Sequence, residues 1–396
     1  MKAIYPSIVN SVLLSVVSAF LWVPSAMGKP IYETEVVETI DLIQEQEIDR
    51  SIDSLQHLLK KYPNSKLGHL ILGDLLSVKA GNRGLLREYG KDQIQHNGLR
   101  DEIRYRWDRN RLDSPALSGL IPSNLILSPD DSEFVLVVDA SQSRLFIYSN
   151  QNGQYQLVED YYVTVGKAGM GKEVEGDLRT PVGIYHVTSY LPGEELPPRY
   201  GPGAFPINYP NELDKMYKRT GYGIWFHGTE PENHNRVPLA SDGCVSLSNE
   251  EFVDIAKYVD IDGSTPVVIS PQLEWVDPSL VPVERENYKQ ILKNWEADWE
   301  SLDTDKYLTH YSKEKFRNGK HDYDSWAEHK RRVNKHKEFI DVNLENLSIY
   351  TYPGEDNMFV AAFNQIYKSD GYSGENRKKQ YWKKDLQGAW KIIYEG

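Results

Sequence analysis

The chain has 396 residues and a single cysteine, Cys244. One cysteine excludes an internal disulfide framework. No basic surplus exists either: 45 Lys and Arg face 58 Asp and Glu, for a formal net charge of −13. From Glu284 onward 20 basic and 20 acidic residues cancel, so the acid excess sits in the first two-thirds. Neither part offers the basic surface that nucleic acid requires. After residue 28 no stretch is apolar enough to cross a membrane. No Cys/His cluster has metal-ligand spacing, and no glycine-rich loop opens a helix to hold phosphate. Neither a metal nor another cofactor is therefore expected.

The first 28 residues have the pattern of an export signal. Lys2 gives a positive start, and Ile8 to Val23 is mostly apolar. Pro24-Ser25-Ala26-Met27-Gly28 supplies small residues for cleavage before Lys29. An uncleaved anchor is the alternative, but Asn10 and Ser11 interrupt a run already short of the roughly 20 residues a span needs. Export makes the lone cysteine informative. It is an intermolecular bridge, a buried inert thiol or a nucleophile.

Residues 29–125 read as a helical N-terminal domain. Ile52, Leu55, Leu58 and Leu59 recur at helical spacing, Tyr62-Pro63-Asn64-Ser65 breaks the run, and Leu67, Leu70, Ile71, Leu75 and Leu76 begin a second helix. This pair resembles one tetratricopeptide-type unit without a second copy. A third amphipathic segment spans Leu85 to about Trp107. The module is a small cap, or a docking surface for a protein partner or a second copy of the chain.

From Phe134 the period changes to that of strands. The apolar runs are 134–138, 144–148, 155–165, 183–187, 224–226 and 266–269, with one helix over 249–259. Ser248 and Glu251 form its S-x-x-E capping box. Residues 130–271 thus predict a mostly-β domain. Pro271, Pro278 and Pro282 mark a linker over 272–284. Residues 285–396 give a helix stripe (Tyr288, Ile291, Trp295, Trp299) followed by strand-like runs, an α+β order. Its aromatic positions either line a cone-shaped pocket or form plain core.

The chemistry concentrates between Gly223 and Asn249. His227 ends the apolar run Ile224-Trp225-Phe226, and Cys244 follows seventeen residues later in Ser241-Asp242-Gly243-Cys244. A thiol nucleophile needs a base and backbone donors for the oxyanion. His227 is the candidate base. The Gly228 carbonyl or Asp242 could orient its ring, and the N–H groups of Gly243 and Cys244 would hold the oxyanion. Ser241 would fix the turn. Asp242 is either a turn former or catalytic.

This stretch resembles the catalytic motif of the L,D-transpeptidase family, also called YkuD-type. Two further motifs stand upstream: Gly176-Asp177-Leu178-Arg179-Thr180-Pro181-Val182-Gly183-Ile184-Tyr185, and Tyr200-Gly201-Pro202-Gly203-Ala204-Phe205-Pro206 with Asn208-Tyr209-Pro210. The resemblance covers about 134–270. It implies Cys244 as nucleophile, His227 as base, the Gly228 carbonyl as orienter, and a peptidoglycan stem tetrapeptide as substrate in the periplasm. Tyr209, Trp225, Arg236, Ser241, Asp242 and Ser246 are the expected substrate-binding positions. The sequence departs from the family at Asp242, often His there, and at Ser246, often Arg or Asn. Arg236 or Arg219 would replace the missing charge. Helices, catalytic domain and tail together resemble a subgroup with a nuclear-transport-factor-2-like C-terminal domain, some of which look like L,D-carboxypeptidases. Transpeptidase, carboxypeptidase and a non-catalytic wall-binding scaffold stand as the three readings.

Overall fold

The break at Pro63, read above as the end of one helix, is a turn between two helices. The computed structural model describes residues 31–81, 93–109, 118–233, 236–261 and 265–396; the expected export segment and residues 85–92 of the third amphipathic segment lie outside them. Among the described residues, α1 (Ile31–Gln44), α2 (Ile48–Lys61), α3 (Lys66–Lys79) and α4 (Gln93–Arg109) form the N-terminal module. Ser65 caps α3, its Oγ accepting the Gly68 N–H at 2.9 Å. Val36, Ile40, Leu55, Leu58, Leu67 and Ile71 are buried between the helices. No described helix is long and apolar enough to cross a membrane.

The chain then enters strands. β1 (Ile121–Pro122) and β2 (Leu125–Leu127) fall where the helical stretch was expected to run on to residue 125. Pro122 has no N–H to give a helix. Leu125 is fully buried because β2 adds an edge strand to the C-terminal sheet, pairing Leu127 with Ile349 and Leu125 with Tyr350.

The strands of the expected mostly-β domain follow in order: β3 (Phe134–Asp139), β4 (Arg144–Gln151), β5 (Gln154–Tyr162), β6 (Val165–Gly166), β7 (Gly183–His186), β8 (Leu191–Pro192) and β9 (Gly203–Pro206). After the short helix α5 (Glu212–Met216) come β10 (Trp225–His227), β11 (Leu239–Ser241), β12 (Val245–Ser246), helix α6 (Asn249–Ile255), β13 (Pro266–Ser270) and β14 (Trp275–Val276). One sheet runs β5-β4-β3-β13-β7, and a second runs β12-β10-β9-β8. Leu136, Val138, Leu145 and Ile147 join a core shared with Phe205, Phe226, Val245 and Phe252. The alternate residues Val135, Val137, Phe146 and Tyr148 join a second core with Tyr350, Val360 and Tyr381 of the tail. The larger sheet is therefore buried on both faces, which is why its strands read as unbroken apolar runs. The capping box of Ser248 and Glu251 is formed at α6.

Helix α7 (Val281–Glu300) starts inside the stretch expected as linker. Pro282 sits in its first turn, where a missing N–H costs nothing. Helices α8 (Thr304–Leu308) and α9 (Tyr323–Asn334) follow, then β15 (Ile340–Thr351), β16 (Met358–Ser369), β17 (Tyr372–Lys384) and β18 (Trp390–Glu395). These strands form the antiparallel sheet β18-β17-β16-β15-β2. Trp295, Trp299, Tyr307, Tyr311, Phe316 and Trp326 pack as buried core against it.

Helices α1 and α4 dock on β4 and β5 through buried charges. Arg144 donates to both Glu33 carboxylate oxygens and lies 3.3 Å from Asp160. Arg109 Nε donates to Asp160 at 2.9 Å, and Arg106 Nε to Glu102 at 3.0 Å. Ions this deep are tolerated only when paired.

Candidate active site

Strand pairing sets the site. β10 runs parallel to β12, with Phe226 opposite Val245 and His227 opposite Ser246. Side chains alternate along a strand. Phe226 and Val245 therefore enter the core, while Trp225, His227, Ser246 and the adjoining Cys244 turn to the other face. Tyr200, on the loop before β9, covers this face. Its ring meets His227 edge-on at 5.0 Å and Trp225 at the same centroid distance.

The turn carrying Cys244 is pinned from two sides. Ser241 Oγ accepts the Gly243 N–H at 3.1 Å and donates to the Cys244 carbonyl at 2.6 Å. Thr180 Oγ1 donates to the Gly243 carbonyl at 2.9 Å and accepts the Gly166 N–H at 2.8 Å. Gly243 has φ +123°, and a Cβ there would lie 2.8 Å from the Arg179 carbonyl oxygen. Only glycine fits that backbone and that approach. At Gly228 the reason is space: a Cβ would meet Pro202 Cδ at 2.7 Å and collide with Asn249 Oδ1. Asn249 in turn accepts the Thr229 N–H at 2.7 Å.

His227 Nδ1 lies 2.6 Å from the Gly228 carbonyl oxygen. A carbonyl only accepts, so Nδ1 carries the hydrogen and Nε2 of the neutral ring is left with its lone pair.

Two family models match the chain: the L,D-transpeptidase catalytic domain, YkuD, over residues 133–269, and the Cds6 C-terminal NTF2-like domain over residues 287–396. The solved structure of Bd1075 from Bdellovibrio bacteriovorus is 30% identical with a TM-score of 0.61, covering 70% of this chain and 97% of that one. The chain belongs to the L,D-transpeptidase family. The helical cell shape determining protein Pgp2 from Campylobacter jejuni is also similar, at 28% identity and a TM-score of 0.59, covering 69% of this chain and 95% of that one. No curated protein sequence matches. The tail is accordingly an NTF2-like α+β domain.

Burial pushes the His227 imidazole down to about 4, against the pull of the Gly228 carbonyl; Arg236 and Arg199 push the same way as burial. Burial raises the Cys244 thiol to about 11, with the Trp225 N–H opposing and Asp242 assisting. Both groups are neutral at pH 7. The thiol donates to the Gly223 carbonyl at 3.4 Å, and no hydrogen bond joins it to the imidazole.

The other expected positions divide. Arg236 Nη1 donates to Ser246 Oγ at 3.2 Å, and Ser246 Oγ donates to the Gly228 carbonyl at 3.2 Å. Ser246 thus links Arg236 to the group that orients His227. Asp242 sits at the rim, with an exposed carboxylate 2.7 Å from Lys167 Nζ. Tyr209 is buried and donates to the Thr220 carbonyl at 3.0 Å. Arg219 donates to Asp214 at 2.8 Å, so its charge is spent on the capped end of α5. The Gly243 N–H already has Ser241 Oγ as partner. Tyr200, Thr180, Asn249 and Arg199 were given no role from sequence. The first two stood within the family motifs, which was the available signal.

Proposed function

We propose that this protein is a cysteine acyltransferase acting on peptidoglycan stem tetrapeptides in the periplasm. Cys244 is the nucleophile and His227 the base. The reading is carried by one observation: His227 and Cys244 share a face of paired strands, with Nδ1 fixed on the Gly228 carbonyl and Nε2 left as acceptor. The thiol turns from Gly223 toward Nε2 and gives up its proton as sulfur attacks the carbonyl carbon of the third stem residue. The backbone N–H of Cys244 would hold the developing oxyanion, since the Gly243 N–H is already given to Ser241 Oγ. Collapse breaks the amide bond, and the imidazolium returns its proton to the departing D-Ala amine. A thioester remains. An amine of a second stem peptide then attacks it, His227 takes the amine proton, and the thiol is regenerated. Arg236, whose guanidinium donates to Ser246, is the group that would meet a carboxylate of the stem.

The second reading is hydrolysis, with water as acceptor and a tripeptide as product. It is favoured by the lid: Tyr200 packs on His227 and Pro202 closes on Gly228, which narrows the approach for a bulky amine. By either route the product alters cross-linking, and the likeness to a cell shape determining protein supports a role in cell shape. Mass analysis of muropeptides after incubation with the protein separates the readings. Dimers joined through third residues mark the transpeptidase, tripeptide monomers mark the carboxypeptidase, and neither product overturns both.

A further inference from the structure

The N-terminal helices lie outside both family matches, the first of which begins at residue 133, yet they reach the candidate site. Arg106 of α4 places its guanidinium 4.0 Å over the ring of Tyr162. The Tyr162 hydroxyl donates to the Arg236 carbonyl at 3.0 Å. The next residue, Val237, is held twice. Thr164 Oγ1 donates to its carbonyl, and its side chain presses on α4 so closely that a Cβ at Gly98 would lie 2.8 Å from Val237 Cγ1 and 2.9 Å from Val237 Cβ. Arg106, Tyr162, Arg236 and Ser246 line one void of about 10 Å³, too small for anything larger than a water. On its outer side the same loop walls a cleft of about 250 Å³, lined by Lys66 and Leu99 of the helices with Glu230, Arg236 and Val237.

From these contacts we infer that the helical module is a working part of the active site: α4 positions the Arg236 loop, so Gly98, Arg106 and Tyr162 are positioning residues for substrate binding. The inference rests on reading Arg236 as the anchor for a substrate carboxylate. Its logic is mechanical. Arg236 is attached to the catalytic sheet by one side-chain bond to Ser246, and its backbone on either side of the peptide is held by Tyr162 and Thr164. The ring of Tyr162 is in turn backed by Arg106, whose own place is fixed by Glu102. A shift of α4 would therefore move the guanidinium without touching Cys244 or His227. Such a shift raises KM and spares kcat when binding in the ground state is what suffers.

The test uses the full mature chain and tetrapeptide muropeptide, with kcat and KM measured beside thermal unfolding. Gly98→Ala is the main variant, because alanine favours a helix interior over glycine and leaves α4 itself no weaker. The added methyl must displace Val237. KM is expected to rise about fivefold or more, kcat to stay within about twofold, and Tm to hold, since an ionic contact worth a factor of ten or so is being misaligned. Tyr162→Phe, which loses only the hydroxyl, should act in the same direction. Replacing Val237 with glycine in the Gly98→Ala protein should bring KM back. Unchanged KM in Gly98→Ala and Tyr162→Phe, with a raised KM in Arg236→Ala, would overturn the inference and leave the Arg236 reading standing. Unchanged KM in Arg236→Ala would overturn that reading, and the inference with it.

Discussion

Treat the resting protein with iodoacetamide across a pH series and follow loss of the free thiol. Burial holds Cys244 up to about 11 and His227 down to about 4, so the pair is neutral over the whole range between. At pH 7 a thiol at that value is ionised in about one molecule in ten thousand, against roughly 3% for an unperturbed thiol near 8.5. That is a loss of about 300-fold in thiolate. A more basic thiolate is more nucleophilic, with a Brønsted slope of about 0.4–0.5, which returns a factor of roughly 10–20. The net expectation is alkylation about 20-fold slower than a cysteine in an unstructured peptide at pH 7. The rate should climb close to tenfold per pH unit from 6 to 10, because each unit multiplies the thiolate. His227→Gln should change this profile little, as no hydrogen bond joins the two side chains at rest. A fast, flat rate between pH 5 and 9 that collapses in His227→Gln would refute the reasoning. It would mean a resting thiolate–imidazolium pair, with the base already protonated before substrate arrives.

Other outcomes follow from the same contacts. Thr180→Val removes two buried hydrogen bonds, one to the Gly243 carbonyl of the cysteine turn and one from the Gly166 N–H of β6, and should cost about 1–3 kcal/mol in unfolding and at least tenfold in kcat. Arg144→Met leaves Glu33 and Asp160 buried beside an apolar chain; about 3–5 kcal/mol of stability should be lost, read by denaturant melts. Stability should also fall on acidification. His227 is near 4 in the folded state and near 6.5 when unfolded, so between those values the unfolded chain binds a proton the folded chain refuses. The contribution is whole above about 6.5, shrinks as pH falls, and is gone near 4, about 3 kcal/mol in all. His186 shifts the same way by burial, so the difference between wild type and His227→Gln isolates the active-site share.

What was legible in sequence depended on element length and on how much burial each pattern implied. The five strands of the larger sheet are four to nine residues long, and their apolar runs gave them away. β8, β11 and β12 have two or three residues each, too few for any period to show, although β12 follows Cys244 directly. The first half of β17 is polar and largely exposed, so only its last residues, Gln380 to Lys384, read as a strand. Burial on both faces told of something packed outside the catalytic sheet but not what, because apolar runs carry no address. The charges between α1, α4, β4 and β5 were invisible for the opposite reason. Glu33, Arg106, Arg144 and Asp160 read as surface residues until their partners, up to 111 residues away, are brought beside them. At the site, Cys244, His227 and Gly228 were legible because glycine neighbours and spacing constrain them. Tyr200 was not, since an aromatic lid is defined by what it covers.

The most direct measurement is the mass of the intact protein, quenched in acid within seconds of mixing with tetrapeptide muropeptide. A Cys244 thioester predicts a transient species heavier by the tripeptide-bearing muropeptide acyl group, located by digestion on the peptide containing Cys244 and missing in Cys244→Ala. Product formation by Cys244→Ala, or turnover by wild type with no Cys244 adduct at any quench time, would contradict covalent catalysis at this cysteine.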